Sequence, residues 1–295
     1  MAVKSQGWLP LWLRGLLAVL LGVLIIDVAR SGTRATRSNE PPVTTLASAA
    51  RAEAASAPAA LLVPAPLPAI AADVVSAACP PEMALVAGDY CTRVEQRCLR
   101  WLDDAKLPFA RCAQYERPSR CVGPRVPLRV CIDRYEYTPP SERLPRGDSS
   151  FVIASQTCAS LGKRVCTESE WNFACEGEEM RPYPYGFARA AVCNQDRNAL
   201  YEPGLHKQIL KDWRQPSGSL GECTSPFGVY DLVGNLDEPV LRDAPPSLYP
   251  FRNALKGGWW MAARNRCRPA TTAHDDHYTG IQVGIRCCKA AAAAP

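Results

Sequence analysis

No cysteine precedes Cys79, no CxxC pair occurs anywhere, and the 295 residues contain only three histidines. Each absence excludes something. Structural zinc sites are usually built on close cysteine pairs, so they are disfavoured here. With His206, His274 and His277 as the only imidazoles, a multi-histidine metal centre has few donors to draw on. No dense Lys/Arg block interrupts the chain and the formal charge is a mild +5, which leaves nucleic acid without an electrostatic footprint. Aromatic residues are missing from the whole stretch between Ser31 and Ala78, so that stretch has nothing to seed a core.

What is there complements these gaps. All 14 cysteines lie at or after Cys79. An even number confined to one part of the chain reads as a set of disulfides formed in an oxidising compartment. Trp8 to Ala29 is an apolar run long enough to span a bilayer, with an uninterrupted heart at Gly15–Ile26 bracketed by Arg14 and Asp27. Cleavage after Ala29 would place Asp27 at −3, where small residues are favoured, so a retained signal anchor is the preferred reading and a cleaved signal peptide the alternative. Positive charges nearly balance across the heart, and the cysteines decide the orientation. The amino end stays in the cytoplasm and the rest faces the periplasm or exterior, on a single-pass inner-membrane protein or, if cleaved, a secreted one. Residues 31–78 are rich in Ala, Pro, Ser and Thr and read as a disordered linker, residues 79–125 as a cysteine-rich extension, 126–289 as the main domain and 290–295 as a disordered tail.

Within the globular part the clearest local signal is TESEWNFACEG. Thr167 followed by Glu170 is a capping box, Cys166 and Trp171 can form a hydrophobic staple, and Gly177 can end a helix over Glu168–Glu176 in the left-handed conformation. A second short helix is expected over Ile153–Leu161, ended by Gly162. RVCIDRYEYT alternates as a strand over Arg129–Thr138, and FGVYDLVGN and GIQVGIRCC read as short apolar strands.

The order of short motifs resembles the sulfatase-modifying-factor family, whose founding activity is the formylglycine-generating enzyme. The matching segments are EMALVAG (Glu82–Gly88), DRYEYT (Asp133–Thr138), KRVCTESEWNFACEG (Lys163–Gly177), YPYG (Tyr183–Gly186), FGVYDLVGNLDE (Phe227–Glu238), LKGGWW (Leu255–Trp260) and VGIRC (Val283–Cys287). The resemblance implies an α+β fold: one compact, disulfide-rich domain with sparse secondary structure, related to C-type-lectin-like folds and here preceded by a transmembrane helix. It implies a pair of copper-binding cysteines near LKGGWW. The second falls at Cys267, but the position of the first is Ala262, and a lone thiolate is a poor Cu(I) site, so copper is not expected. The iron-dependent branch of the family holds its metal on histidines of a separate helical domain, which has no counterpart here. The pair in HDDH (His274–His277) reads as a polar loop, with metal binding as the alternative.

The resemblance also implies calcium, on Asn235, Leu236 (through its carbonyl) and Glu238 of GNLDE and on Asn194. Turn hydrogen bonding is the competing use of these residues. The tryptophans that usually flank the glutamate are replaced by Asp237 and Pro239. A disulfide between Cys175 and Cys287 is implied, with Cys79, Cys91, Cys98, Cys112 and Cys121 tying down the extension, and Cys131 a further partner for them. Two functional readings follow. In the first, the scaffold has lost its oxidase site and binds a protein, peptide or glycan on a surface containing Trp259, Trp260, Arg264 and Arg266. In the second, it is a formylglycine-generating-type or other metal-dependent oxidoreductase acting on a protein cysteine through Cys267. The anchor reading has its own check. Mass analysis of the mature chain is expected to find residues ahead of Gly15, whereas an N-terminus at or just past Ala29 would mean a cleaved signal.

Overall fold

The computed structural model describes residues 78–203, 209–244 and 251–293. The expected membrane segment at 1–30 and nearly all of the linker lie outside the described residues. Among the described residues no helix is long and apolar enough to cross a membrane.

Strand β1 (Met83–Cys91) opens the fold, followed by β2 (Val94–Glu95), β3 (Cys98–Trp101), β4 (Cys112–Tyr115), β5 (Arg120–Cys121) and β6 (Arg125–Asp133). Helix α1 (Phe151–Ser160), β7 (Arg164–Val165) and helix α2 (Glu168–Glu176) come next, then β8 (Glu238–Leu241), β9 (Asn253–Lys256), β10 (Ala270–Thr271) and β11 (Cys287–Ala290). The main sheet has the antiparallel order β1-β6-β11-β7, and a second has the order β10-β9-β8. β2-β5 and β3-β4 are separate two-stranded ribbons. Between Glu176 and Glu238 no described residue belongs to a helix or named strand.

The second helix spans Glu168–Glu176 as expected. Thr167 accepts from the Glu170 N–H, and the Glu170 carboxylate accepts from the Thr167 N–H at 2.8 Å. Trp171, Phe173, Ala174 and Cys175 enter the main core with Cys166, Val130, Ile132, Leu232 and Val233. Burying each of the two large aromatics contributes on the order of 2–3 kcal/mol. Gly177 ends the helix at φ 64° but ψ −171°, outside the left-handed helical well, and a side chain there would meet the Pro226 ring at 3.0 Å. Helix α1 starts two residues earlier than expected, because Ser150 caps it by accepting from the Ile153 N–H at 3.2 Å.

Three sequence expectations about strands are corrected. The strand expected at Arg129–Thr138 is instead Arg125–Asp133, paired along its whole length with β1 from Met83↔Asp133 to Cys91↔Arg125. Pro127 hides this in the sequence, yet it is tolerated because β11 pairs only with Val130–Ile132, leaving the other edge of β6 open at Pro127. FGVYDLVGN forms no strand. Gly228, Asp231, Gly234 and Asn235 all have φ between 55° and 79°, which breaks an extended run, while Val229, Leu232 and Val233 still enter the core. Of GIQVGIRCC only the last two residues are in a strand. Full pairing of β1 with β6 also means that the extension and the family domain share one sheet. The tail begins later than expected: Ala290 ends β11, and the Ala292 N–H donates to the Ala78 carbonyl at 3.0 Å.

All 14 cysteines are paired: Cys79–Cys131, Cys91–Cys121, Cys98–Cys112, Cys158–Cys287, Cys166–Cys288, Cys175–Cys267 and Cys193–Cys223. The pairing of the cysteines in disulfides, and the tying of the extension to itself and to Cys131, match the sequence reading. The implied Cys175–Cys287 bridge does not. Cys287 pairs across β11 with Val165 and faces α1, where it meets Cys158, whereas Cys175 at the end of α2 meets Cys267. The bridges Cys158–Cys287, Cys166–Cys288 and Cys175–Cys267 close loops of 129, 122 and 92 residues. In the chain-entropy limit each such closure is worth about 4–5 kcal/mol. Non-reducing peptide mapping is expected to recover Cys175 linked to Cys267 and Cys158 linked to Cys287; a Cys175–Cys287 peptide would contradict the fold.

Candidate functional site

The segment that follows β9 is set by its glycines. Gly257 and Gly258 have φ 83° and 75°. A side chain on Gly257 would meet the Leu232 carbonyl at 2.7 Å, and one on Gly258 would meet Asn265 Oδ1 at 2.3 Å. Asn265 then staples the loop by donating to the carbonyls of Trp259 (2.6 Å) and Met261 (3.2 Å). Arg189 donates to the carbonyls of Ala263 (3.1 Å) and Asn265 (3.3 Å). At the base, the fully buried Lys256 donates to the Arg268 carbonyl at 2.8 Å, and burial pushes its ammonium down to about 8. Arg268 forms a bidentate pair with the buried Glu176. The loop is thus held rigidly from several sides.

The residues expected to act here separate into two groups. Cys267 is 0 % exposed and bonded to Cys175, so it has no thiol to offer a metal or a substrate. Trp260 is also 0 % exposed and packs edge-on against Trp259, which corrects its assignment to a binding surface. Trp259, Arg264 and Arg266 do line a cavity of about 70 Å³, together with Leu255, Met261 and Phe109. Phe109 comes from the β3–β4 hairpin of the cysteine-rich extension. Arg264 lies over its ring at 4.9 Å and donates to the Pro108 carbonyl at 3.3 Å and to the Ala270 carbonyl at 2.9 Å.

Asp237 also lines this cavity, as do Asn265 and Thr271. The Asp237 backbone is clamped: its N–H donates to the Gln282 carbonyl and its carbonyl accepts from the Gly284 N–H, both at 2.8 Å. The residue is 8 % exposed, and among the described residues its carboxyl forms no ion pair within 4.0 Å. Burial pushes it up to about 7, the charge of Glu238 adds to this, and the Gly258 N–H and Arg264 oppose it. In the sequence Asp237 stands out only as a substitute for an expected tryptophan. That departure, an acid in place of an aromatic, is the one signal that could have found it. Nothing in the sequence points to Phe109.

The oxygen donors implied for calcium are used otherwise. Asn194 Nδ2 donates to Asn235 Oδ1 at 2.9 Å, and the same oxygen accepts from the Gln215 N–H at 2.9 Å. Asn194 Oδ1 accepts from Arg197 Nε at 3.1 Å. Glu238 is buried against Arg286, 2.7 Å away, and also accepts from Trp171 Nε1 at 2.6 Å. Asn235 Nδ2 and the Leu236 N–H both donate to Glu136, whose carboxyl is pushed well above the usual range by burial and by the charges of Asp231 and Glu238. Every side-chain oxygen of the implied set therefore already accepts from nitrogen, and a buried guanidinium supplies the positive charge. This arrangement does not fit a hard dication. In the HDDH loop, Asp276 is bound by Arg252 and Asn253, and His274 stacks on Tyr278 at 3.6 Å.

These features sit on a scaffold that comparison identifies. The sequence profile of the sulfatase-modifying factor enzyme 1-like domain matches residues 135–291, and the chain belongs to that family. The formylglycine-generating enzyme of Bos taurus is 24 % identical over 198 residues, covering 55 % of this chain and 50 % of the bovine protein. The chain thus spans about half the length of this curated relative. Among solved structures, CarF is similar at a TM-score of 0.46 and 15 % identity, over 71 % of this chain and 98 % of that one. PvdO from Pseudomonas aeruginosa is similar at a TM-score of 0.44 and 18 % identity, over 70 % and 94 %.

The unpaired acid has a measurable cost. An aspartate whose folded pKa is raised keeps a proton that the unfolded chain releases, so its contribution to stability falls as pH rises from about 4 to about 7 and is flat above. Asp237→Asn is expected to raise the urea midpoint at pH 8, with a gain in stability of no more than about 4 kcal/mol. The difference should shrink towards zero at pH 4. Equal midpoints at pH 8 would show that Asp237 is not strained.

Proposed function

We propose that this chain is a ligand-binding member of the family, tethered to the membrane by its Trp8–Ala29 run with the described domain outside the cytoplasm, and that it has no copper oxidase site. The observation that carries this reading is the pairing of Cys267 with Cys175, in the segment whose other residues line the cavity. A Cu(I) oxidase site of the implied kind needs two thiolates. Here Ala262 stands at one position, the other cysteine is a buried half-cystine, and no free cysteine exists to replace either. Seven disulfides support an oxidising compartment, and hence an extracytoplasmic or secreted domain. What the loop keeps is shape: a rigid, glycine-shaped rim, the half-buried Trp259, and charged groups facing a small cavity. The cavity is smaller than most ligand pockets, and its placed polar groups suit recognition of a small polar group.

The protein purified from an oxidising host and assayed for thiols under denaturation is expected to show none, and to hold no stoichiometric copper after incubation with Cu(I). One equivalent of copper that disappears in Cys267→Ser would overturn the reading and restore the oxidoreductase alternative.

A further inference from the structure

The cavity beside Trp259 holds two opposite charges that do not satisfy each other. Asp237 and Arg264 both line it, yet they do not approach within the 4.0 Å of an ion pair. Each is short of partners. The Asp237 carboxyl, nine-tenths buried, forms no ion pair, and the Gly258 N–H and the charge of Arg264 offset its burial only in part. Arg264 spends two of its N–H groups on the carbonyls of Pro108 and Ala270, and a guanidinium has about five to give. Buried charges in folded proteins are normally paired or neutralised. With no ion-pair partner, a carboxyl facing a cavity is a position open to a cationic partner from outside the chain.

From this juxtaposition we infer that the cavity binds an α-ammonium group with its adjacent carbonyl or carboxylate oxygen, the ammonium on Asp237 and the oxygen on Arg264. This rests on the ligand-binding reading above and names the ligand of that same site. Three features favour this chemistry over others. A simple cation would satisfy Asp237 but would face Arg264 and Arg266 without compensation. A simple anion would suit the arginines but meet the Asp237 carboxyl. A group carrying a donor cation and an acceptor oxygen side by side complements both walls. The cavity is small, about 70 Å³, and open to solvent, which suits a compact polar end group rather than a large ligand buried whole. Phe109, Leu255, Trp259 and Met261 supply apolar wall for the Cα and a small side chain. The ammonium would also keep Asp237 ionised, recovering in the complex what the site otherwise loses through burial.

Two sources share this chemistry, a free small amino acid and the N-terminal residue of a peptide, and the test separates them. Full-length protein in detergent is titrated by calorimetry and saturation-transfer NMR with glycine, L-alanine, triglycine amide, N-acetylglycine and ethylamine. Glycine or triglycine amide is expected to bind, N-acetylglycine to bind at least about tenfold more weakly, and ethylamine about tenfold more weakly than glycine, each having lost one charge-assisted contact. Asp237→Asn, nearly the same shape, is expected to lower glycine affinity at least about tenfold with its disulfide map unchanged. Binding of glycine without triglycine amide assigns a free amino acid, and binding of triglycine amide at least as tight as glycine assigns a peptide N-terminus. Equal binding of glycine and N-acetylglycine, full affinity in Asp237→Asn, or no binding of any probe at millimolar concentration overturns the inference. A thiol and copper count on the same sample keeps the two ideas apart. No binding with neither thiol nor copper rejects only the ligand chemistry; no binding with both present rejects the ligand-binding reading as well.

Discussion

Three consecutive residues near the C-terminus, Arg286, Cys287 and Cys288, tie together parts of the chain that are more than a hundred residues apart or meet across the core. Cys287 is bonded to Cys158 on α1, and Cys288 to Cys166 at the entry to α2. Arg286 is fully buried and reaches Glu238, the carbonyl of Asp133 and the carbonyl of Tyr230. Removing either partner of the Arg286–Glu238 pair would leave an uncompensated buried charge, which typically costs about 3–5 kcal/mol. In a domain with so little regular secondary structure, these links take the place of long helices and wide sheets. They fix where Glu238 sits, and through it the neighbouring Asp237.

The candidate site follows from that frame. Glu238 is turned into the core by Arg286 and Trp171, so the residue before it projects the other way, towards the loop after β9. Gly257 and Gly258 let that loop approach closely, and the Cys175–Cys267 bridge pins its far end to α2. The same bridge leaves no free thiol in this loop. At this point it gives the loop a covalent anchor. The extension outside the family match adds the remaining wall, with Phe109 held under Arg264.

Much of the fold is legible locally. The capping box at Thr167 and Glu170 places α2 to the residue, because both halves of that motif lie within one turn and need no tertiary help. The even set of cysteines without CxxC pairs announces disulfides, and the order of seven short motifs announces the family. Elements whose conformation is decided by distant partners escape a local reading. The register of β6 is set by β1, forty residues away in sequence, and Pro127 is harmless only on an open edge, so the strand falls four residues from where its alternation suggests. The apolar FGVYDLVGN stretch has the composition of a strand, but four positive φ angles turn it into a buried loop whose polar groups are met by the surrounding chain.

The site shows the same division. That Ala262 stands where the resemblance implies a cysteine is legible in the chain whatever the fold. Trp259, Arg264 and Arg266 are likewise together because they are neighbours in sequence. The folded arrangement alone assigns Cys267 to Cys175, sends Trp260 into the core and sets Glu238 against a guanidinium. It alone brings Asp237 and Phe109 to the same cavity. The reason is physical: pairing, burial and charge compensation depend on distances between residues far apart in sequence, and among the described residues those distances are set by seven disulfides and by buried ion pairs such as Arg286–Glu238, whose partners no local pattern names.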